Sequence, residues 1–270
     1  MSSATPTEPA TAARILAIAN QKGGVGKTTT AINLGTALGV AGRKVLIVDL
    51  DAQGNASTGF GIDRAARHVT IYDVLLRGTA FDEAVLPTEV PHVEIVPATV
   101  DLSAAEIELA NDARRAFRLR DCFAGLTRRY DHILIDCPPS LGVLTVNALT
   151  AAHAVMVPLQ CEFFALEGLS QLLRTVERVR RTFNPMLQMH GIVLTMFDRR
   201  NNLSEQVATD VRSFMGDRVY QTIIPRNVRV SEAPSHGKPV LLYDVRSPGA
   251  QAYAHLAGEM LRRERHLAAA

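Results

Sequence analysis

Near the start of the chain lies Asn20-Gln21-Lys22-Gly23-Gly24-Val25-Gly26-Lys27-Thr28-Thr29, between the apolar run 15–19 and a segment with apolar residues at helical spacing. The apolar run predicts a buried β-strand and the spacing predicts a helix, so the glycines fall at a strand-to-helix turn. Glycine lets the backbone approach phosphate oxygens closely, and the unpaired N–H groups at the start of the helix face the anion. The segment therefore predicts a binding site for a nucleoside triphosphate.

The side chains of this turn have separate predicted roles. Lys27 would reach the terminal phosphates, and the Thr28 hydroxyl would ligate Mg²⁺. The pattern G-x-x-x-x-G-K-[ST] is incomplete, because Gln21 stands where the first glycine belongs, and Lys22 is an additional lysine. The alternative interpretation is an ordinary flexible turn with Lys22 as a solvated charge. The predicted nucleotide contacts in the turn are Gly23, Gly24, Val25, Gly26, Lys27, Thr28 and Thr29.

Carboxylates follow two other predicted strands. Asp49 and Asp51 come at the end of the run 44–49, and the apolar strand 132–137 ends near Asp136. In a parallel sheet the carboxyl ends of the strands meet where ligands bind. Alternation predicts that Asp49 and Asp51 face the same way, toward Mg²⁺ and an attacking water, although an Asp/Gly/Asn turn is the structural alternative. Asp136 has the position of a Walker B aspartate, so Thr28, Asp51 and Asp136 are the predicted Mg²⁺ ligands.

Strand-like and helix-like patterns alternate to the end of the chain. The 270 residues, 47% of them hydrophobic, would suffice for one large α/β domain or two smaller ones. We favour a single P-loop ATPase domain over 14–270, after a disordered tail over 1–13 that lacks apolar periodicity. The fold class is α/β, a doubly wound and mostly parallel sheet with helices on both faces. The predicted strands are 14–19, 44–49, 93–97, 132–137, 154–159, 191–196 and 219–224.

Composition limits the class of protein. A net charge of +2 is too small to indicate a nucleic-acid partner by itself. Cys122, Cys137 and Cys161 lack C-x-x-C spacing, which argues against a disulfide framework or a metal site. No apolar run approaches the roughly 18 residues of a transmembrane helix, and the N-terminus lacks the charged-then-apolar order of a signal peptide, so we expect neither. The final helix, 247–265, carries no Trp or Phe that would enter lipid, so we expect a cytoplasmic protein without a membrane partner.

The lysine before Gly-Gly, with a second lysine before Thr, resembles the deviant Walker A loop of the ParA/MinD ATPases. The resemblance extends from Arg14 onward, and residues 165–169, 225–229 and 231–235 are similar to the ParA/Soj-type chromosome partition branch. It implies an ATPase with weak basal activity that requires ATP and Mg²⁺. The residues that it implies as catalytic are Lys22, acting in trans across a dimer, Lys27, acting in cis, and Asp51, which positions the hydrolytic water.

The resemblance also implies further contacts and partners. Residues 225–227 match the loop around the adenine, so Pro225, Arg226 and Asn227 are the predicted base contacts, with Asp198 left open. The ATP-bound homodimer would bind DNA without sequence preference, and Arg200 and Arg229 match basic positions used for this, with Arg199 as a neighbour. A ParB-type centromere-binding protein would stimulate hydrolysis and release a nucleoid-associated dimer. For each arginine, an exposed charge or a sheet-end salt bridge is the alternative.

Other classes of function stay open at this point. A MinD-like membrane-associated positioning ATPase would need a C-terminal amphipathic anchor. An iron–sulfur reductase or carrier would need ligating cysteines, which the isolated cysteines argue against. A DNA-binding scaffold without hydrolysis would bind DNA equally with ADP and ATP. A cluster of arginines between residues 114 and 120 predicts either a solvated helix face or a partner surface. Plasmid and chromosome partition are equally compatible with the sequence.

Overall fold

A central sheet of eight strands organises residues 13–269, the part of the chain that the computed structural model describes. Its order is β3-β4-β2-β5-β1-β6-β7-β8, and every neighbouring pair is parallel except β3 with β4. The strands are β1 Arg14–Ile18, β2 Val45–Asp49, β3 Leu86–Pro87, β4 Val93–Val96, β5 His132–Asp136, β6 Ala154–Gln160, β7 Gln188–Phe197 and β8 Val219–Pro225. The predicted doubly wound sheet is confirmed. The short β3 was missed, because two residues carry no periodic signal.

Helices connect most of the strands. The α-helices are α1 Lys27–Val40, α2 Asn55–Gly59, α3 Ala105–Glu108, α4 Arg118–Cys122, α5 Val143–Ala151, α6 Ala165–Thr182, α7 Asn202–Met215, α8 Val228–Glu232, α9 Val240–Tyr243 and α10 Pro248–Ala269. Residues 73–77 form a π-helix, and short 3₁₀ turns include Arg64–Ala66. Helix α4 is short, and Gly125, which follows it, adopts a left-handed conformation that does not continue an α-helix.

Alternate residues of each central strand enter two different cores. Ile15 and Ala17 pack with α5, α6 and α7 on one face, whereas Leu16 and Ile18 pack with α1 and α10 on the other. Both faces are therefore covered, which explains why the strand sequences are continuously apolar. Full burial of each large aliphatic side chain contributes about 1.5–3 kcal/mol relative to exposure.

The register of the strands places the predicted site at one edge of the sheet. Asp49 at the end of β2 is directly opposite Asp136 at the end of β5, and Ile18 at the end of β1 is opposite Asp136 on its other side. The turn 20–29 begins directly after β1, so it emerges between the two carboxylate-bearing strands and β6.

Two carboxylates, the buried Glu259 and the partly buried Glu264, attach helix α10 to the sheet. Glu259 accepts hydrogen bonds from the backbone N–H groups of Gln221 and Thr222 on β8, at 2.9 and 2.8 Å. Glu264 accepts a hydrogen bond from His132 Nε2 at 2.9 Å, and His190 Nε2 lies 3.5 Å from its other oxygen. These contacts tie the last helix to β5, β7 and β8 at once.

Two further sequence predictions concern the start of the chain and membrane-spanning helices. The predicted disordered tail, 1–13, lies outside the described residues except for Ala13, which is fully buried and packs in the core. Among the helices of the described chain, none combines the length and the apolar character that a membrane crossing requires.

Candidate functional site

Residues 20–29, called the phosphate loop below, have the backbone conformation that an anion-binding site requires. Gly24 and Gly26 have φ values of +75° and +88°, in the left-handed region that favours glycine. Gly26 directly precedes α1 and provides no side-chain cap, so the first N–H groups of this helix stay available. A helix N-terminus of this kind attracts phosphate through its free N–H groups and its dipole.

The neighbouring strands hold the loop in place. The Thr195 hydroxyl, on β7, donates to the Val25 carbonyl at 2.9 Å. The Asn20 side chain donates to the Pro158 carbonyl, on β6, at 2.8 Å and accepts from the Lys22 N–H at 3.1 Å. The loop is thus anchored to two strands by side chains, as expected for a largely pre-formed ligand site.

The two lysines of the loop occupy different environments. Lys27 is 6% exposed, and its Nζ donates to the Lys22 carbonyl at 2.9 Å. Burial lowers the pKa of Lys27, and the nearby Asp136 carboxylate opposes that shift. Lys22 is exposed and forms an ion pair with Glu162, which follows β6. Lys27 therefore lies inside the site, whereas Lys22 points its charge to the surface.

Asp136 is a buried carboxylate without a protein partner. Its side chain is fully buried, and neither oxygen accepts a hydrogen bond from any residue of the described chain. Burial, together with the charge of Asp49, raises its pKa well above the ordinary value, while the neighbouring Thr28 hydroxyl and Lys27 oppose the shift. An unpartnered carboxylate beside a threonine hydroxyl suits Mg²⁺, which prefers oxygen ligands and keeps several of its waters.

The predicted pairing of Asp49 with Asp51 toward Mg²⁺ is wrong for Asp49. One Asp49 oxygen accepts from the Ser57 N–H and hydroxyl at 2.8 and 2.7 Å, and the other accepts from the Asp51 N–H at 3.3 Å. Burial raises the pKa of Asp49 to about 6, with the hydrogen bonds from Ser57 opposing. Asp49 thus fixes the start of α2. Asp51 is half-buried and accepts from the Gln53 N–H at 3.0 Å.

The predicted base contacts lie together at the ends of β7 and β8. Pro225 ends β8, and the Arg226 N–H donates to the Phe197 carbonyl at 2.9 Å. The Asn227 side chain accepts from the Val230 N–H at 3.3 Å and caps α8. A cavity of about 730 Å³ opens here, within the size range of small-molecule sites. Its lining includes Phe197, Asp198, Arg199, Arg200, Pro225, Arg226, Asn227 and His255.

Two of the three arginines predicted to bind DNA, Arg200 and Arg229, are engaged in ion pairs, and Arg199 lies beside Arg200 at the cavity. Arg200 donates to both oxygens of Asp198, at 3.0 Å from Nε and 2.9 Å from Nη2, and these hydrogen bonds lower the pKa of Asp198 to about 2. Arg229, on α8, lies 2.9 Å from Glu232 and 3.5 Å from Asp244. Their guanidinium groups nevertheless stay accessible, since the Arg200 side chain is 88% exposed and that of Arg229 is 52% exposed.

The arginine cluster between residues 114 and 120 also forms local contacts. Arg114 pairs with Asp121 and Arg118 pairs with Asp112. The Arg120 guanidinium lies over the Phe117 ring at 4.4 Å from the centroid. Exposed pairs of this kind contribute little to stability. These contacts are those of a solvated surface, and a partner role for the cluster stays a prediction.

Some residues around the site could not be found from the sequence. Met196 has φ +50° beside Thr195, an uncommon conformation for a residue with a side chain, and such strain concentrates at functional sites. Ser57 and Arg67 hold the turn that carries Asp51. Neither lies in a recognisable motif, because their contacts arise only when separate segments are brought together. Glu162 carried one signal, its position directly after a strand end.

This chain is similar in sequence to several known proteins. A family model described as an AAA domain matches residues 13–189. The chromosome partitioning protein ParA of Caulobacter vibrioides (strain NA1000 / CB15N) is 63% identical over 254 residues, which cover 93% of this chain and 95% of that protein. The sporulation initiation inhibitor protein Soj of Bacillus subtilis (strain 168) is 51% identical over 247 residues, covering 92% and 98%.

A solved structure supports the same comparison. The crystal structure of cobyrinic acid a,c-diamide synthase from Mycobacterium smegmatis, with bound ADP and magnesium, superposes with a TM-score of 0.82 at 40% identity. The match covers 94% of this chain and 96% of that one. The architecture described above is therefore shared with a protein whose structure contains ADP and Mg²⁺.

Proposed function

The chain belongs to the ParA/Soj family of chromosome partitioning ATPases, and we propose that its ATP-bound form is a dimer that binds DNA without sequence preference. In this proposal a ParB-type centromere-binding protein stimulates hydrolysis, which releases the dimer from the nucleoid and drives segregation of the partner's complex. The observation that carries the proposal is the division between the two loop lysines, with Lys27 buried in the site and Lys22 exposed at its edge.

Hydrolysis requires groups that orient the phosphates and the attacking water. Lys27 and the free N–H groups at the start of α1 would bind and orient the phosphates. Thr28 and Asp136, with Asp51 as a third candidate, would hold Mg²⁺, which supplies positive charge to the phosphate oxygens when bound. Asp51 is our candidate for orienting the water. Since no arginine is assigned to the transition state, we expect slow hydrolysis without a partner.

The surface beside Lys22 supports association with a second copy. The Lys22 and Glu162 side chains are 43% and 31% exposed, and they pair with each other. Phe163 and Phe164 follow at 74% and 61% exposure, with ring centroids 5.1 Å apart in an edge-to-face arrangement. A twofold interface brings a patch against its own copy. A patch with one cation, one carboxylate and two exposed rings is complementary to itself, so Lys22 can exchange Glu162 for the phosphates of the other subunit.

The exposed arginines support DNA binding by the dimer. Arg199 and Arg200 lie at the cavity edge and Arg229 lies on the nearby α8. Two copies of a weak phosphate-binding surface on one dimer raise the overall affinity without any new contact. Contacts to phosphate alone carry no sequence information, which matches binding without sequence preference.

The proposal is tested by DNA binding under defined nucleotide states. Wild type, Arg200→Glu and Arg43→Glu are each measured with ADP and with ATP across a salt series. The same variants are also measured with Asp51→Ala, which blocks turnover. Arg43 is the matched control, because it is an exposed arginine in the turn before β2, at the opposite edge of the sheet. We expect ATP-dependent binding that Arg200→Glu abolishes and Arg43→Glu retains.

The salt series distinguishes phosphate contacts from other modes of binding. The logarithm of the binding constant should fall with the logarithm of salt by about 0.9 for each DNA phosphate that is neutralised. A flat salt response, or equal binding with ADP and ATP, would contradict the DNA switch. Failure to bind DNA with any nucleotide would leave the ATPase site intact and would direct the search to protein or membrane partners.

A further inference from the structure

Arg67 is a buried arginine next to the turn that carries Asp51. Only 7% of the residue is exposed, and it follows the 3₁₀ turn Arg64–Ala66. Its Nε donates to the Ile62 carbonyl at 3.2 Å, and its Nη2 donates to the same carbonyl at 2.8 Å and to the Thr58 hydroxyl at 2.9 Å. Its Nη1 donates to the carbonyls of Gly54 and Ala98 at 3.2 and 3.1 Å. A guanidinium has five N–H groups, and all of them are used here.

The acceptors of Arg67 are neutral oxygens, three backbone carbonyls and one hydroxyl. Burying a cation without a carboxylate at hydrogen-bond distance is costly. Burial lowers the pKa of the Arg67 guanidinium, with the charge of Asp49 opposing. The planar guanidinium of Arg67 has five N–H donors in fixed directions, so it fixes the relative positions of its acceptors. We take this fixed geometry as the contribution of Arg67.

Those acceptors determine the conformation of the turn 51–54, which begins with Asp51. Gly54, with φ +64°, donates its N–H to the Asp51 carbonyl at 2.9 Å and accepts from the Thr58 N–H at 3.0 Å. A Cβ at Gly54 would collide with the Arg67 guanidinium, so the two residues are packed in direct contact. Because Arg67 donates to both Gly54 and Thr58, it fixes the end of the turn and the first turn of α2 together.

The same guanidinium connects the turn to the sheet. Ala98, which follows β4, accepts from Arg67 through its carbonyl and donates its N–H to the Ser57 hydroxyl at 3.2 Å. That hydroxyl donates to Asp49, whose other oxygen accepts from the Asp51 N–H. Asp51 is thus held from its N–H side through Asp49 and Ser57, and from its carbonyl side through Gly54 and Arg67.

We propose that Arg67 is a positioning residue for hydrolysis, which holds the turn so that the Asp51 carboxylate can orient the attacking water. The proposal rests on the proposed role of Asp51. Arg67 donates to backbone and hydroxyl oxygens of the turn, so its effect reaches the reaction only through Asp51. The phosphate loop is held by separate contacts from β6 and β7, so ATP binding is expected to be largely independent of Arg67.

The experiment compares Arg67→Met and Arg67→Lys with the matched control Arg64→Met, an exposed arginine in the adjacent 3₁₀ turn. Single-turnover hydrolysis of ATP and the Kd for ATP are measured for each, alone and combined with Asp51→Ala. We expect hydrolysis to fall about tenfold or more in both Arg67 variants, since small displacements of a catalytic group have effects of this size or larger. The Kd for ATP and the rate of Arg64→Met should change little.

The combination with Asp51→Ala separates positioning from general destabilisation. If Arg67 acts through Asp51, Arg67→Met should cause no further loss of rate when Asp51 is already alanine. Hydrogen exchange of the folded Arg67→Lys protein should be faster at residues 51–58 and unchanged in β1. Equal losses with and without Asp51, or folded Arg67 variants with the wild-type rate, would overturn the inference. A wild-type rate in Asp51→Ala alone would instead overturn the proposed role of Asp51, and the inference with it.

Discussion

Gly26 and Gly42 both have a positive φ but lie in different surroundings. Their φ values are +88° and +81°. A Cβ at Gly42 would meet no atom within 4 Å, and at Gly26 it would meet only ordinary contacts at 3.9 Å with Thr195 and Met196. The backbone conformation is therefore the main obstacle to a side chain at both positions. Only Gly26 lies in the phosphate loop.

Replacing either glycine by alanine should lower the free energy of unfolding by a similar amount. The left-handed conformation costs a residue with a Cβ about 1–2 kcal/mol. We expect Gly26→Ala to weaken ATP binding as well, because its strained backbone shifts the N–H groups that face the phosphates, whereas Gly42→Ala should bind ATP normally. Denaturant unfolding and ATP titration of both variants test this. Normal ATP affinity in Gly26→Ala would show that the loop tolerates this strain.

The sequence could predict site residues that stand at element boundaries, but not those whose roles depend on contacts between distant segments. Asp136 and Lys27 were found because each stands at a fixed distance from a strand or helix boundary, and the structure brings them together. Asp49 was misassigned, since alternation along a strand says nothing of Ser57, which takes one of its oxygens after the turn. Arg67 left no pattern, because its acceptors come from segments up to 31 residues away.

At the scale of elements, the strands were predicted well because both faces of the sheet are buried. Each central strand is a short apolar run between polar turns, so β1, β2, β5 and β6 could be located within a residue or so. The region between residues 60 and 128 was harder. Its helical elements are short, five residues or fewer in the π-helix 73–77, α3 and α4, so each carries too little periodicity to be located from the sequence.

The attachment of α10 predicts a defined response to acid. Burial raises the pKa of Glu264, but the hydrogen bond from His132 and the nearby His190 ring outweigh it and hold the pKa at about 2, below the ordinary 4.5. A depressed carboxylate pKa stabilises the fold above pH 4.5, and this stabilisation is lost as the pH falls toward 2. The shift corresponds to about 3 kcal/mol.

We expect Glu264→Gln to lower the free energy of unfolding at pH 7 and to flatten its decrease between pH 4.5 and 2. Urea unfolding across this range measures both effects. Glu177→Gln is the control, because Glu177 forms only exposed ion pairs with Arg180 and Arg181 and should have a much smaller effect. An unchanged pH profile in Glu264→Gln would show that other carboxylates dominate acid unfolding.

At the scale of the whole molecule, the exposed rings of Phe163 and Phe164 are the largest adjacent apolar side chains on the described surface beside the site. Exposed aromatic pairs of this kind are typical anchors of protein interfaces. Their position directly after Glu162 makes them continuous with the surface that carries Lys22, so one interface would bury all of these residues.

Replacing both rings by serine should therefore weaken the proposed ATP-dependent dimer. Truncating an anchor costs about 1–2 kcal/mol or more, so we expect the dimer Kd to rise about tenfold or more. Sedimentation in the Asp51→Ala background, with ATP, measures this. Phe214→Ser is the matched control, because Phe214 is 67% exposed on α7. An unchanged dimer Kd in the double variant would place the interface elsewhere, whereas a monomeric parent would contradict the proposed dimer itself.

The attachment of α10 by Glu259 and Glu264 also constrains how this molecule can move. The helix has 22 residues, about 33 Å of rigid rod. His255 on this helix borders the cavity. Nearer the C-terminus of the helix, Glu264 contacts His132 on β5 and His190 on β7. Tilting the rod at the cavity would break its buried contacts at the other end. Nucleotide-dependent motion should therefore be confined to the loops after β2, β5 and β8. The final helix should keep the same position in both nucleotide states.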